Sequence, residues 1–179
     1  MQDMWDPILS EFEGLEFRFT DSPKHSEDSY SKGLALCKEN KCGCYGLTWG
    51  CPPGAPGKDE IKTILSTYSK ALVIFREFPV SDMKDREELG RISKGFQEMI
   101  RDISLKARSA GIPNFPLGDG GCMFCEKCSY PEPCRFPDRK VVSVSAMGID
   151  MESFLGGIGI KFEFKSDSIE LYAIILYPD

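Results

Sequence analysis

All eight cysteines of the 179-residue chain fall into two tight groups of four. The first, Cys37, Cys42, Cys44 and Cys51, reads C-x4-C-x-C-x6-C; the second, Cys122, Cys125, Cys128 and Cys134, reads C-x2-C-x2-C-x5-C. Four thiolates close a tetrahedral metal site or hold an iron–sulfur cluster. The stretch 52–121 holds no cysteine, so the grouping is not a scatter. Two irregular, ligand-bearing loops must therefore be built into whatever fold the rest of the chain adopts.

The second spacing is the more specific. It is similar to the bacterial ferredoxin run C-x2-C-x2-C-x3-C-P, with the last gap widened to five and Pro137 three residues past Cys134. Three cysteines at this spacing let one loop wrap a cubane. Structural zinc more often takes paired cysteines from two separate knuckles. The preceding Leu117–Gly121, L-G-D-G-G, lets backbone N–H groups approach sulfur, although an ordinary turn would read the same way. In the first group, C-G-C at 42–44 can place two sulfurs on one centre, and Cys51 opens C-P-P-G. Tyr45 and Trp49 lie between ligands, as shields for a cluster or as plain core residues. The spacing leaves open whether Cys51 and Cys134 exchange between the two centres, as fourth cysteines do in two-cluster ferredoxins.

The spacing predicts two 4Fe-4S clusters, ligated by Cys37, Cys42, Cys44 and Cys51 and by Cys122, Cys125, Cys128 and Cys134. Zinc at one or both sites is the competing reading, and disulfides or redox thiols are a third. Fully cysteine-ligated cubanes without a substrate motif suit low-potential electron transfer to a redox protein partner. The alternatives are a cluster-containing enzyme with an open iron site, the irregular first group being its candidate, and a zinc-stabilised interaction module. The reading favours an electron-transfer or metal-binding protein over a stand-alone enzyme. Catalytic residues and oligomeric state are not specified.

Bulk properties narrow the context. The formal charge is −6, from 22 basic and 28 acidic residues, which argues against a nucleic-acid binder. A 4Fe-4S core with four thiolates carries net −2, so two bring the total to roughly −10. Lys38, Lys41, Lys127, Arg135, Arg139 and Lys140 lie close to the cysteines in sequence, either as counter-charges or as solvated loop charges. The acidic start M-Q-D-M-W-D-P lacks an apolar signal region, and no run reaches the roughly 18 apolar residues of a membrane helix. The expectation is a cytoplasmic protein without membrane contact, where clustered thiols bind metal rather than form disulfides.

Local patterning predicts strands over 15–19, 71–78, 140–146, 158–164 and 168–176. It predicts helices over 58–68, 82–110 and 151–155. The longest carries Leu89, Ile92, Phe96, Met99, Ile100 and Ile103 at three- and four-residue spacing. Residues 37–57 and 114–138 read as metal loops. The expected architecture is α+β, one compact domain over 1–179, with a mixed β-sheet packed with two main helices. The two cysteine-rich loops are expected together at one end of the sheet.

Other chemistry is thin. His25 is the only histidine, so no catalytic triad or histidine-rich metal site can be built, and its polar setting P-K-H-S-E-D predicts a surface residue. G-A-P-G-K at 54–58 lacks the spacing and the Ser/Thr of a phosphate loop, and L-G-G-I-G at 155–159 reads as a turn. Asp150 and Glu152 read as helix-start residues.

Several motifs together resemble an uncharacterised family of predicted metal-binding proteins from anaerobic archaea and bacteria, domain of unknown function 2284. They are Cys37 with Cys42-x-Cys44, C-P-P at 51–53, G-G-C-M-F-C-E-K-C at 120–128, C-R-F-P at 134–137 and S-A-M-G-I-D-M at 145–151. They span most of 37–155. Family members are richer in methionine and serine before M-G-I-D, where this chain has V-V-S-V-S-A, and 158–177 matches less well. The resemblance implies metal binding and names no reaction.

Overall fold

The computed structural model describes residues 2–179 apart from Phe162 and Phe164. Its helices are α1 (Gln2–Leu9), α2 (Glu27–Lys38), α3 (Lys58–Thr67), α4 (Arg86–Ser109) and α5 (Met151–Gly157). Its strands are β1 (Glu16–Asp21), β2 (Lys70–Pro79), β3 (Phe115–Gly118), β4 (Val142–Ser143) and β5 (Ser168–Tyr177). The sheet order is β1-β2-β5-β3-β4, antiparallel except for the parallel pair β3–β4. This is the expected α+β domain with a mixed sheet.

Alternation along the central strands divides the core. Ala71, Val73 and Phe75 of β2 join Tyr172, Ile174 and Leu176 of β5 on one face, under Ile61 of α3 and Leu155 of α5. Leu72 and Ile74 join Ala173, Ile175 and Tyr177 on the other, under α4 and Trp5 of α1. Both strands are apolar on both faces because helices cover both. Each fully buried aliphatic side chain contributes roughly 1.5–3 kcal/mol. Phe96, Ile100 and Ile103 make the buried stripe of α4, as its periodicity required. Asp85 caps that helix by accepting from the Glu87 and Glu88 N–H groups, and Gly111 turns the chain out at φ 84°.

The differences from the sequence reading are local. The strand expected over 140–146 shrinks to Val142–Ser143, because Val144–Ala146 turns into a 3₁₀ segment. No strand forms among the described residues of 158–164; Phe162 and Phe164 lie outside them. Residues 27–38 are helical, with Ser26 as cap, so Cys37 sits in a helix rather than a loop. Strand β3 carries Pro116, which argues against a strand by local rules. Pairing of Phe115, Pro116 and Leu117 with β5 overrides that.

Candidate metal centre

Strand β3 hands the chain directly to the second cysteine loop, and β4 receives it back. The first loop leaves α2 and returns to the same place: Ser143 of β4 donates its N–H to the Gly50 carbonyl at 2.8 Å. Both cysteine loops therefore adjoin the β3–β4 edge of the sheet, where chain order suggested only that they lie together at one end of it.

In the first group, Cys37 occupies the last turn of α2. Asn40 at φ 52° and Gly43 at φ 75° then reverse the chain, and the Asn40 Oδ1 accepts from the Tyr45 N–H at 3.0 Å. Left-handed backbone of this kind favours asparagine and glycine. Cys51 is buried, Cys42 exposed, and Cys37 and Cys44 half-buried. Burial pushes the Cys51 thiol up to about 12, helped by the neighbouring Cys44 thiol and opposed by the Thr48 hydroxyl. Burial also raises Cys44 and Cys37, with Cys42 as the next cause for each. Thiols of this group thus lie near enough to act on one another.

In the second group, Cys122, Cys125, Cys128 and Cys134 line one narrow cavity with Trp49, Phe124, Phe136, Arg139 and Lys140. Trp49 comes from the first loop. Its indole N–H donates to the Glu132 carbonyl at 2.8 Å, and its ring meets Tyr130 edge-on at 5.1 Å. It belongs to the loops rather than to either core cluster.

Two glycines let the loops touch. A β-carbon on Gly50 would stand 2.4 Å from the Cys122 nitrogen and 2.6 Å from the Val141 oxygen. One on Gly121 would stand 2.9 Å from the Cys51 Sγ and 3.2 Å from the Thr48 Oγ1. At Gly121 it is the α-carbon, rather than a described N–H group, that packs against a sulfur, and that sulfur belongs to the other loop.

Helix α4 supplies two residues that periodicity could not single out. Gln97 is fully buried; its Nε2 donates to the Gly121 carbonyl at 2.9 Å and its Oε1 accepts from the Met123 N–H at 3.3 Å. Arg101, one turn further, is buried with its guanidinium over the Phe124 ring.

Among the described residues, no three His, Cys, Asp or Glu side chains converge closely enough to form a metal-binding group. The thiols are neighbours rather than a closed coordination sphere. The donor chemistry fits a soft metal or an iron–sulfur cluster all the same: four thiols on each side, with backbone packed directly against one sulfur.

His25 corrects its expectation. Its side chain is only 8% exposed, because a bridge to Ile149 folds it under the start of α2. Its Nδ1 lies 3.2 Å from the Met147 carbonyl oxygen. Asp150 caps α5, accepting from the Ser153 N–H at 3.1 Å, which holds its carboxyl below the usual range. Lys58 pairs with Glu27 at 2.6 Å, away from any phosphate-loop role. No helix among the described residues is long and apolar enough to cross a membrane.

A family model described as a predicted metal-binding protein (DUF2284) matches residues 31–177. The match runs through the C-terminal strand, beyond the span of the recognisable motifs. Neither a curated protein nor a solved structure matches the chain.

Proposed function

Because the chain belongs to the DUF2284 family of predicted metal-binding proteins, we propose that its two thiol groups hold two 4Fe-4S clusters and that it passes low-potential electrons to a redox protein partner in the cytoplasm. Cys37, Cys42, Cys44 and Cys51 are the ligands of the first centre, and Cys122, Cys125, Cys128 and Cys134 those of the second. The observation that carries this reading is the abutment of the two groups, Gly121 against Cys51 and Gly50 against Cys122. Two isolated structural metals would need no such contact. Clusters of this type accept and return single electrons. The chain's own part is to bury Cys51, to bring backbone against sulfur and to cover the second group with Trp49, Phe124 and Phe136.

The test is iron, sulfide and zinc per chain, with a visible spectrum, on protein purified without oxygen. About eight iron and eight sulfide, with absorbance that bleaches on dithionite, are expected. Replacing Cys125 and Cys128 by serine should remove about half of the iron. Zinc without sulfide would overturn the reading.

One observation favours a cluster enzyme as the second reading. A cavity of about 210 Å³ adjoins the first loop, lined by Tyr30, Leu34, Lys38, Tyr45, Pro52 and Pro53 among others. Cys42, the exposed member of the first group, is the ligand such an enzyme would dispense with. Spectral change of the first centre on adding cyanide or a small thiol distinguishes this reading; no response counts against it.

A further inference from the structure

Arg101 is 4% exposed. Its Nε donates to the Arg139 carbonyl at 2.9 Å, while its Nη2 is buried without a hydrogen-bond partner. Its guanidinium lies 4.8 Å from the centroid of Phe124, and the guanidinium of Arg139 lies 5.4 Å from the same centroid. Phe124 and Arg139 line the cavity of the four second-group thiols, together with Lys140. Among the described residues no carboxylate is within ion-pair distance of Arg101, Arg139 or Lys140. Asp119, at the root of the same loop, does not compensate them: burial raises its pKa, and the groups acting on it include no cation.

This is an unbalanced arrangement. A buried cation needs a counter-charge, and two guanidiniums sharing one ring repel each other. Attraction to the ring face offsets only part of that. The missing negative charge is available in the adjoining cavity. Metal binding deprotonates thiols, and four thiolates around Zn²⁺ or a 4Fe-4S core in its 2+ state carry net −2.

Among the described residues the first group has no such buried cation: Lys38, near it in sequence, is exposed. Lys41 is exposed and engaged by Glu39 at 2.6 Å.

We propose that Arg101 and Arg139 are built-in counter-charges of the second thiolate centre and hold its reduction potential above that of the first. Reduction adds negative charge, so nearby cations favour the reduced form. Electrons entering the pair settle on the second centre. The potential ordering rests on the iron–sulfur reading; the counter-charge role does not, because a four-thiolate zinc site carries the same charge.

The experiment is a redox titration of the full chain, purified anaerobically and followed by electron paramagnetic resonance. The Cys125→Ser/Cys128→Ser protein assigns the first centre's signal. Arg101→Gln should lower the second midpoint alone, changing its reduced-to-oxidised ratio at fixed potential roughly tenfold, about 59 mV for one electron. Arg101→Lys should keep the wild-type value. An unmoved second midpoint, or both midpoints moving together, overturns the proposal. Arg139→Gln, at an exposed position, gives the same test if Arg101→Gln does not fold.

Melting separates charge from packing. Arg101→Gln should leave the metal-free protein as stable or more stable, and destabilise only the loaded form; equal loss in both overturns the proposal. If the wild-type chain holds no iron and sulfide, the iron–sulfur reading fails by itself. Zinc titration then tests the counter-charge: Arg101→Gln should weaken zinc at the second group roughly tenfold, and an unchanged affinity overturns it.

Discussion

A β-carbon placed on Gly121 would stand 2.9 Å from the Sγ of Cys51. The second cysteine loop has no room for any side chain where it meets the first, and the reverse contact at Gly50 is tighter still. Gly121→Ala should therefore damage the first centre although the residue lies in the second loop. In a Cys125→Ser/Cys128→Ser background, the iron remaining in the first centre should fall on adding Gly121→Ala. Overpacking of this kind typically costs about 1–3 kcal/mol. Gly50→Ala should cost more, because it meets backbone at 2.4 and 2.6 Å, which cannot rotate away. Melting of the two single variants gives the comparison.

Gln97 bonds two backbone groups of the second loop, one on each side of Cys122. Gln97→Leu keeps the bulk and removes both partners. Leaving buried polar groups unpaired costs roughly 1–3 kcal/mol. The expected result is a lower melting temperature together with weaker loading of the second centre. Full iron content with unchanged stability would show that the loop holds itself.

Asp119 predicts a pH dependence. Its Oδ1 is buried without a partner, and burial raises its pKa from the ordinary 3.8. The folded state then binds a proton more readily than the unfolded one. Stability from this group is complete below 3.8 and declines as pH rises through the folded pKa. Asp119→Asn should stabilise the metal-free protein at neutral pH, on the order of 1 kcal/mol. The advantage should vanish at acid pH. Denaturant melts at pH 3.5 and pH 7 would show it, and an equal effect at both would contradict the assignment.

Trp49 reports on the second cavity, whereas Trp5 is fully buried in the opposite core. In a Trp5→Phe protein, Trp49 emission should fall when iron and sulfide are reconstituted into the chain. In a Trp49→Phe protein the remaining emission should change much less. Equal quenching of both would remove Trp49 from the neighbourhood of the centre.

Much of the fold was legible because its signals are local. The apolar run of β2 and the three-and-four stripe of α4 each depend on residues a few positions apart. So do the two cysteine groups, since a ligand loop writes its own spacing. Helix α2 was hidden because its residues have weak amphipathic order and none of them is buried. Strand β3 was hidden because Pro116 obeys its neighbour β5 rather than its own preference.

The sequence by itself determined that this chain carries two four-thiol groups within an α+β domain and has a single histidine. Only the tertiary structure decided that the loops meet, that Gly50 and Gly121 admit each other's cysteines, and that Gln97 and Arg101 face them from α4. It also decided that His25 is covered. The reason is physical: burial and close approach are set by residues far apart in the chain. A glycine, a glutamine or an arginine carries no mark in the sequence of what will be packed against it.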